Sequence, residues 1–415
     1  MNLNDPTLVE LSERSRPRSR PGFLAAFARR LVHAQLARLR HGRLVLHEQG
    51  ESHAFGPGDG AGVNVTVRDP AFYPELAFGG SVGAGEAYML GHWVADDLTG
   101  LMRLLLRNRE ALDGMEGGLA RLSSPLRVAA HWLHRNTREG SRRNISAHYD
   151  LGNDLYRLFL DETMMYSSAI FERPGMTLAE AQAAKLEAIC RKLELGPRDH
   201  VLEIGTGWGG FALHAAGRYG CRVTTTTISP NQHALATERV RAAGLQDRVT
   251  VLLQDYRDLE GRYDKLVSIE MIEAVGHQYY GEFFRQCDAR LAPGGRMLLQ
   301  AITIADQRYE QARREVDFIK RYIFPGCCIP SVTALATSMT ASSRLRIAAL
   351  EDIGPHYATT LARWRDNFLG NALRVRALGY PETFIRMWTF YLAYCEGGFA
   401  ERALGDVQLV LERGG

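Results

Sequence analysis

The stretch Leu202-Glu203-Ile204-Gly205-Thr206-Gly207-Trp208-Gly209-Gly210 decides how the rest of the chain is read. It closes a β-type run that begins at His200, places an acid before the turn, and then repeats glycine at 205, 207 and 209. Glycine allows a tight exit from a strand, lets backbone amides approach a ligand with no Cβ in the way, and sets a helix N-terminus at the same spot. Dinucleotide loops that cradle phosphates share this logic, so the glycines alone leave a turn of another α/β enzyme open.

Outward from the loop, β-type runs at His200 to Ile204, Arg222 to Ile228, Val249 to Leu253, Lys265 to Glu270 and Arg296 to Ile304 alternate with helical patterns such as Asn231 to Ala243 and Tyr280 to Leu291. That alternation predicts an α/β fold, a parallel, doubly wound Rossmann-like sheet that binds ligands at the carboxyl ends of its strands. Glu203, two residues before the first glycine, is placed to meet a cationic group. The second run ends in Thr226-Thr227-Ile228-Ser229 with no ribose-binding acid. Together with Gln254-Asp255-Tyr256 after the third run, these features favour S-adenosylmethionine over a dinucleotide, and an S-adenosylmethionine-dependent methyltransferase is expected.

At 415 residues the chain exceeds the usual size of one domain. No uninterrupted apolar run reaches the roughly 18 residues of a membrane span, and no cleavable leader is visible. The six cysteines show no metal spacing and are expected to be reduced thiols. A formal charge of +3 gives no reason to expect nucleic acid. A cytoplasmic protein is expected, held peripherally at the inner face of a membrane.

The charge is unevenly spread. Nine arginines and no acid lie between Arg14 and Arg43, interleaved from Phe23 onward with Leu24, Phe27, Leu31, Val32, Leu36 and Leu39. That half reads either as a basic amphipathic helix lying on an anionic membrane surface or as a solvated helix packed on the domain behind it. The organisation expected is a disordered basic tail over 1–20, a small N-terminal, lipid-associated α+β domain over 21–120, a basic connector over 121–145, and a catalytic domain over 146–415. Within the small domain, Arg43 to His47 and Val63 to Val67 look like strands joined by a glycine-rich turn, followed by helical spacing from Gly85 to about Arg109. Thr177-Leu178-Ala179-Glu180 is a capping-box start for a helix running to about Leu193. Residues 381–401 read as an apolar helix.

Ahead of the glycine loop stand Ala147-His148-Tyr149-Asp150-Leu151-Gly152-Asn153-Asp154 and Met164-Met165-Tyr166-Ser167-Ser168. Beyond it come Glu270-Met271-Ile272-Glu273-Ala274-Val275-Gly276, Gln300-Ala301-Ile302-Thr303 and His356-Tyr357-Ala358-Thr359. On these blocks the chain resembles the cyclopropane-fatty-acyl-phospholipid synthases and the related mycolic acid methyltransferases. The resemblance implies transfer of a methylene group from S-adenosylmethionine to the cis double bond of an unsaturated acyl chain in membrane phospholipid. An unactivated alkene is a poor nucleophile, so it needs a dry, oriented site, and the carbocation left by methyl transfer needs a base.

The resemblance further implies that this base is a bound bicarbonate, and that its holders carry over to Glu273, the backbone of Ile302, and Tyr357. Ser168 stands where cysteine is common and Gln300 where histidine is common; Gln300 cannot carry a proton at neutral pH. Family cofactor contacts match Tyr166, Gly205, Gly207, Thr227 and Gln232, beside the loop residues Glu203, Thr206 and Gly209 and the adenine-side Asp255 and Tyr256. A homodimer is implied by resemblance alone. Glu273 could instead be a helix-start acid, and Tyr357 a core residue. His148 and Tyr149 either cap the cofactor or pack behind it. Phe318, Tyr322, Phe324 and Trp388 either line an acyl channel or belong to the core. Two other outcomes stay open: methylation without ring closure, and a lipid-surface binding protein without turnover.

Overall fold

The computed structural model describes residues 22–110, apart from 59 and 61, and 151–414. The tail over 1–20, the connector over 121–145, and His148 and Tyr149 lie outside the described residues.

Helix α1 (Phe23–Leu36) packs Ala28, Val32 and Leu36 inward. A second apolar side, Phe23, Leu24, Phe27 and Leu31, stays exposed, Phe23 at 91%. Packing and exposure therefore coexist on one helix. Arg29 turns back to Glu48 at 2.6 Å, while Arg30, Arg38 and Arg40 face solvent.

Behind α1 lies a four-stranded sheet in the order β2-β1-β3-β4, from β1 (Leu44–Glu48), β2 (Glu51–Phe55), β3 (Val63–Val67) and β4 (Trp93–Ala95). The two expected strands are present as β1 and β3, yet they pair in parallel and so cannot be joined by a tight turn. The hairpin partner of β1 is the unforeseen β2, reached through Gln49-Gly50, both at positive φ. Helices α2 (Phe72–Leu90) and α3 (Leu98–Arg107) cover this sheet, and β4 interrupts the helical span expected from Gly85 to Arg109. Helix α2 breaks at Gly80, whose φ of 58° and ψ of −141° suit only glycine.

The second sheet has seven strands, β10-β11-β9-β8-β5-β6-β7. Its strands are β5 (His200–Ile204), β6 (Arg222–Thr227), β7 (Val249–Leu253), β8 (Tyr263–Ile269), β9 (Leu291–Ile304), β10 (Leu345–Asp352) and β11 (Leu404–Arg413). Strands β5 to β9 run parallel as expected. The wholly parallel sheet is corrected by β11, which is antiparallel to both β9 and β10. It went unread because Asp406 and Gln408 break its apolar run, although both are buried.

Around this sheet pack α4 (Asn153–Arg157), α5 (Leu178–Leu193), α6 (Gly210–Tyr219), α7 (Pro230–Ala242), α8 (Tyr280–Arg290), α9 (Asp306–Ala312), α10 (Val332–Ser342), α11 (Gly354–Gly370), α12 (Ala372–Ala377) and α13 (Glu382–Ala400). Helix α5 starts where the capping box places it, with Thr177 Oγ1 accepting from the Glu180 amide and Glu180 accepting from the Thr177 amide. The fold is α/β and Rossmann-like, with a smaller α+β part at its N-terminal end.

Helix α13 joins the two parts. Glycine allows the close approach: a Cβ on Gly397 would lie 2.7 Å from Met102, and one on Gly85 2.3 Å from the Phe318 ring. Thr99 and Arg103 of α3 donate to Glu396 and Glu401 at the end of α13. One hydrophobic core therefore runs from Val32 and Trp93 to Phe318 and Trp388. Phe318, Tyr322 and Trp388 are core residues, while Phe324 lines a cavity.

Candidate active site

That cavity has a volume of about 890 Å³ and begins at the carboxyl end of β5. Gly205 leaves the strand at φ 104°, and its amide and that of Thr206 donate to Thr226 O on β6 at 3.1 and 3.0 Å. Gly207 and Gly209 also take positive φ, and Gly209 caps the N-terminus of α6. Thr206 accepts a hydrogen bond from Thr225 at 2.7 Å, which ties the loop to the neighbouring strand. Thr227 Oγ1 donates to Gln232 Oε1, leaving the Gln232 amide group facing the same space.

Glu203 is buried, and its Oε2 has no partner among the described residues. Burial pushes its carboxyl up to about 8. A buried carboxylate oxygen with no donor, facing a cavity beside a glycine turn, fits a ligand's ammonium group. The site therefore fits S-adenosylmethionine. Asp255 has a different employment: Arg257 holds its carboxylate through Nε at 2.8 Å and Nη2 at 2.6 Å, so it shapes the loop at the cavity wall. Tyr256 lines the wall beside it, and Tyr166 does so opposite, hydroxyl to hydroxyl with Tyr391 at 2.8 Å.

Further along the cavity are Glu273, Ile302 and Tyr357. Glu273 Oε1 accepts from the Ile302 amide at 2.5 Å, and its Oε2 is buried without a partner among the described residues. Burial, then the charge of Glu270, pushes Glu273 up to about 8. Ser168, Gln300 and Gly209 are not on the cavity wall; Ser168 and Gln300 are fully buried behind it.

The residue they reach is Glu270, which sequence reasoning passed over. Its Oε1 accepts from the Ser168 amide at 2.8 Å and from Gln300 Nε2 at 2.7 Å, and its Oε2 accepts from the Tyr357 hydroxyl at 2.6 Å. Burial and the Glu270 charge raise Tyr357 well above the ordinary tyrosine value, so it remains a donor. The second amide hydrogen of Gln300 goes to Asp406 at 3.0 Å. Burial and the charge of Glu270 push the Asp406 carboxyl far up. Lys185 is fully buried nearby, donates to Ser167 Oγ at 2.7 Å, and is lowered to about 8 by burial against the pull of Glu270 and three other acids. An available signal for Glu270 was its place at the carboxyl end of a central strand, where open α/β sheets bind ligands. Lys185 and Asp406 gave none, since one sits in a helix pattern and the other in an unread strand.

These donors settle how bicarbonate fits. The Ser168 amide, Ile302 amide, Tyr357 hydroxyl and both Gln300 amide hydrogens are already committed to carboxylates of this chain. An added anion would find those donors already taken and would meet the Glu270 carboxylate they hold. The residues present do not fit bicarbonate.

Residues 136–409 match the family described as mycolic acid cyclopropane synthetase. The chain belongs to that family. The tuberculostearic acid methyltransferase UfaA1 of Mycobacterium tuberculosis is 38% identical over 94% of this chain and 92% of its own length. The cyclopropane-fatty-acyl-phospholipid synthase of Escherichia coli is 39% identical over 85% of this chain and 89% of its own. Among solved structures, the cyclopropane synthase MmaA2 of Mycobacterium tuberculosis superposes with a TM-score of 0.62 at 31% identity, covering 66% of this chain and 98% of that one. The mycolic acid cyclopropane synthase CmaA1, solved with SAH and CTAB, gives the same TM-score, identity and coverage. Like other members of the cyclopropane synthetase family, this protein is an S-adenosylmethionine-dependent methyltransferase.

From Glu273 and Tyr357 the cavity continues into the N-terminal part, between α1, the four-stranded sheet and helices α2 and α3. Val32, Leu46, Val65, Phe72, Trp93 and Leu101 line that end. Among the described residues no group of His, Cys, Asp and Glu could hold a metal ion, and no helix is long and apolar enough to cross a membrane.

Proposed function

We propose that the protein adds a one-carbon unit from S-adenosylmethionine to the cis double bond of an unsaturated acyl chain of membrane phospholipid and closes a cyclopropane ring. The observation that carries this reading is the single cavity, polar with two unpartnered carboxylate oxygens at one end and apolar at the other. Bound cofactor supplies an electrophilic methyl group on a sulfonium. Glu203, the turn at Gly205 and Gly207, Thr227 and Gln232 would hold it, and Tyr166 would close over it. The apolar end takes up acyl chain and excludes water, so the alkene meets the methyl in a dry, oriented site. Negative charge at Glu270 stabilises the cation that follows.

The two relatives named above support lipid as the acceptor. Docking on an anionic membrane surface would use the exposed face of α1, where Phe23, Leu24 and Phe27 stand beside Arg30. The decisive experiment is lipid analysis after expression in a host lacking its own cyclopropane synthase. The expected product gains one CH2 and shows high-field ring protons by NMR. An unchanged fatty-acid profile under good expression overturns the proposal.

A second reading, methylation without ring closure, is favoured by the relative named a methyltransferase of tuberculostearic acid and by the unusual proton-removal site. The same NMR spectrum decides between them, because a cyclopropane and a methyl-branched alkene share a mass. Lipid binding without turnover is opposed by the two unpartnered carboxylate oxygens facing the cavity.

A further inference from the structure

We propose that the Glu270 carboxylate fills the anion cradle of this active site and is itself the acceptor of the proton lost from the substrate, so that the protein needs no bound bicarbonate. The inference rests on the lipid methyl-transfer reading above, and holds for either product, since ring closure and alkene formation each release one proton.

Three observations carry it. First, the Ser168 amide, the Gln300 amide group and the Tyr357 hydroxyl, from three separate elements, converge on one carboxylate at 2.6 to 2.8 Å. These are three of the groups that the family resemblance assigns to an external anion, and Glu270 has taken all three.

Second, the backbone at Glu270 has a φ of 48°, in the left-handed region that favours glycine. A glutamate held in that conformation costs stability, and such outliers persist where the side chain has work to do. Third, more donors meet Glu270 than the acids beside it. Three reach its carboxylate, one reaches that of Glu273, and Gln300 alone reaches Asp406, whose carboxyl is raised by burial. Glu270 lines the cavity together with Glu273 and Tyr357, so it faces the substrate.

The step balances within the site. The alkene π pair forms the bond to the methyl carbon as that carbon's bond to sulfur breaks, and sulfur keeps the pair. A C–H pair of the cation then becomes the last ring bond, or the new double bond, and the proton passes to Glu270, which becomes the neutral acid. Lys185 acts through Ser167 and through its charge, as a positioning residue.

The test compares wild type, Glu270→Gln and Glu270→Gly, with S-adenosylmethionine and vesicles of unsaturated phosphatidylglycerol, in carbonate-depleted buffer with and without added bicarbonate. Wild type is expected to change less than about twofold on adding bicarbonate. Glu270→Gln is expected to lose about 100-fold or more in lipid product, with no rescue. Glu270→Gly loses as much, opens the cradle, and regains about tenfold with bicarbonate. Because glycine relieves the left-handed backbone, its Tm is not expected to fall, and SAH affinity within about threefold of wild type shows an intact cofactor end.

Binding gives a readout free of turnover: 13C-bicarbonate NMR on the SAH complexes should show no bound signal for wild type and one for Glu270→Gly. Bicarbonate-dependent wild type, bound bicarbonate in wild type, or a Glu270→Gln variant at wild-type rate overturns the proposal. A wild type that excludes bicarbonate yet converts no unsaturated lipid overturns the lipid reading and the proton step with it, while supporting Glu270 as the cradle's occupant.

Discussion

The two ends of the cavity are built on opposite principles. At the cofactor end, short loops after parallel strands deliver named polar atoms, and two of those atoms, Glu203 Oε2 and Glu273 Oε2, are left without partners. At the far end, helices and a small sheet meet mainly through apolar side chains such as Leu46, Val65 and Phe72. The first end holds a ligand by charge and hydrogen bonds, where an error of one atom is costly. The second holds by volume, where substitutions act in proportion to the space they fill. Disturbing the polar end should therefore produce steep losses, and disturbing the apolar end graded ones.

The steepest loss within this comparison is expected from Glu273→Gln, about 100-fold in lipid product with SAH affinity nearly unchanged, measured by lipid mass spectrometry beside calorimetry. If SAH affinity falls equally, Glu273 belongs to cofactor binding and the division of the polar end is wrong. Next comes Glu203→Gln, expected to weaken S-adenosylmethionine by roughly 10- to 100-fold, as loss of a charge-assisted contact does.

The same carboxyl makes binding pH-dependent. Free Glu203 sits at about 8 and must ionise to meet an ammonium. Affinity should therefore rise by up to about tenfold per pH unit from pH 6 and level off above 8. Calorimetry in buffers of different ionisation enthalpy should show proton release, and Glu203→Gln should abolish the slope. Stability has the opposite sign. Glu203 and Glu273 stand near 8 when folded against an ordinary value of 4.5, so their contribution is full below 4.5 and is lost as pH rises through 8. The Tm of the ligand-free protein should fall across that window, and SAH should lessen the fall.

At the apolar end, Leu46→Trp should shorten the space and cut conversion of long acyl chains by about tenfold, with shorter chains less affected and cofactor affinity unchanged. An equal loss for all chain lengths would remove the N-terminal part from substrate binding. The smallest effect is expected outside the cavity, where Phe23→Ser with Phe27→Ser should lower binding to anionic vesicles a few-fold in a sedimentation assay.

Legibility in the sequence followed the same division. The glycine turn, Glu203 and the parallel strands β5 to β9 could be read because each depends on local rules: a positive φ that only glycine tolerates freely, and apolar runs bounded by turns. The capping box at Thr177 was readable for the same reason. Strand β11 was not, because Asp406 and Gln408 interrupt its pattern and are accommodated by Gln300 on β9 and Lys192 on α5. The hairpin of β1 with β2 was missed because Glu51 to Phe55 is polar and mostly exposed.

By itself the sequence determined the parallel strands and the glycine turn at the end of β5, since those are set by backbone conformation over a few neighbouring positions. Only the tertiary structure decided that the apolar end of the cavity lies inside the N-terminal part, and that Ser168, Gln300 and Tyr357 close on Glu270. Those relations join residues far apart in the chain, 102 positions between Ser168 and Glu270 and 298 between Arg103 and Glu401. Distances of that kind are set by how helices and sheets pack, and no local pattern encodes them.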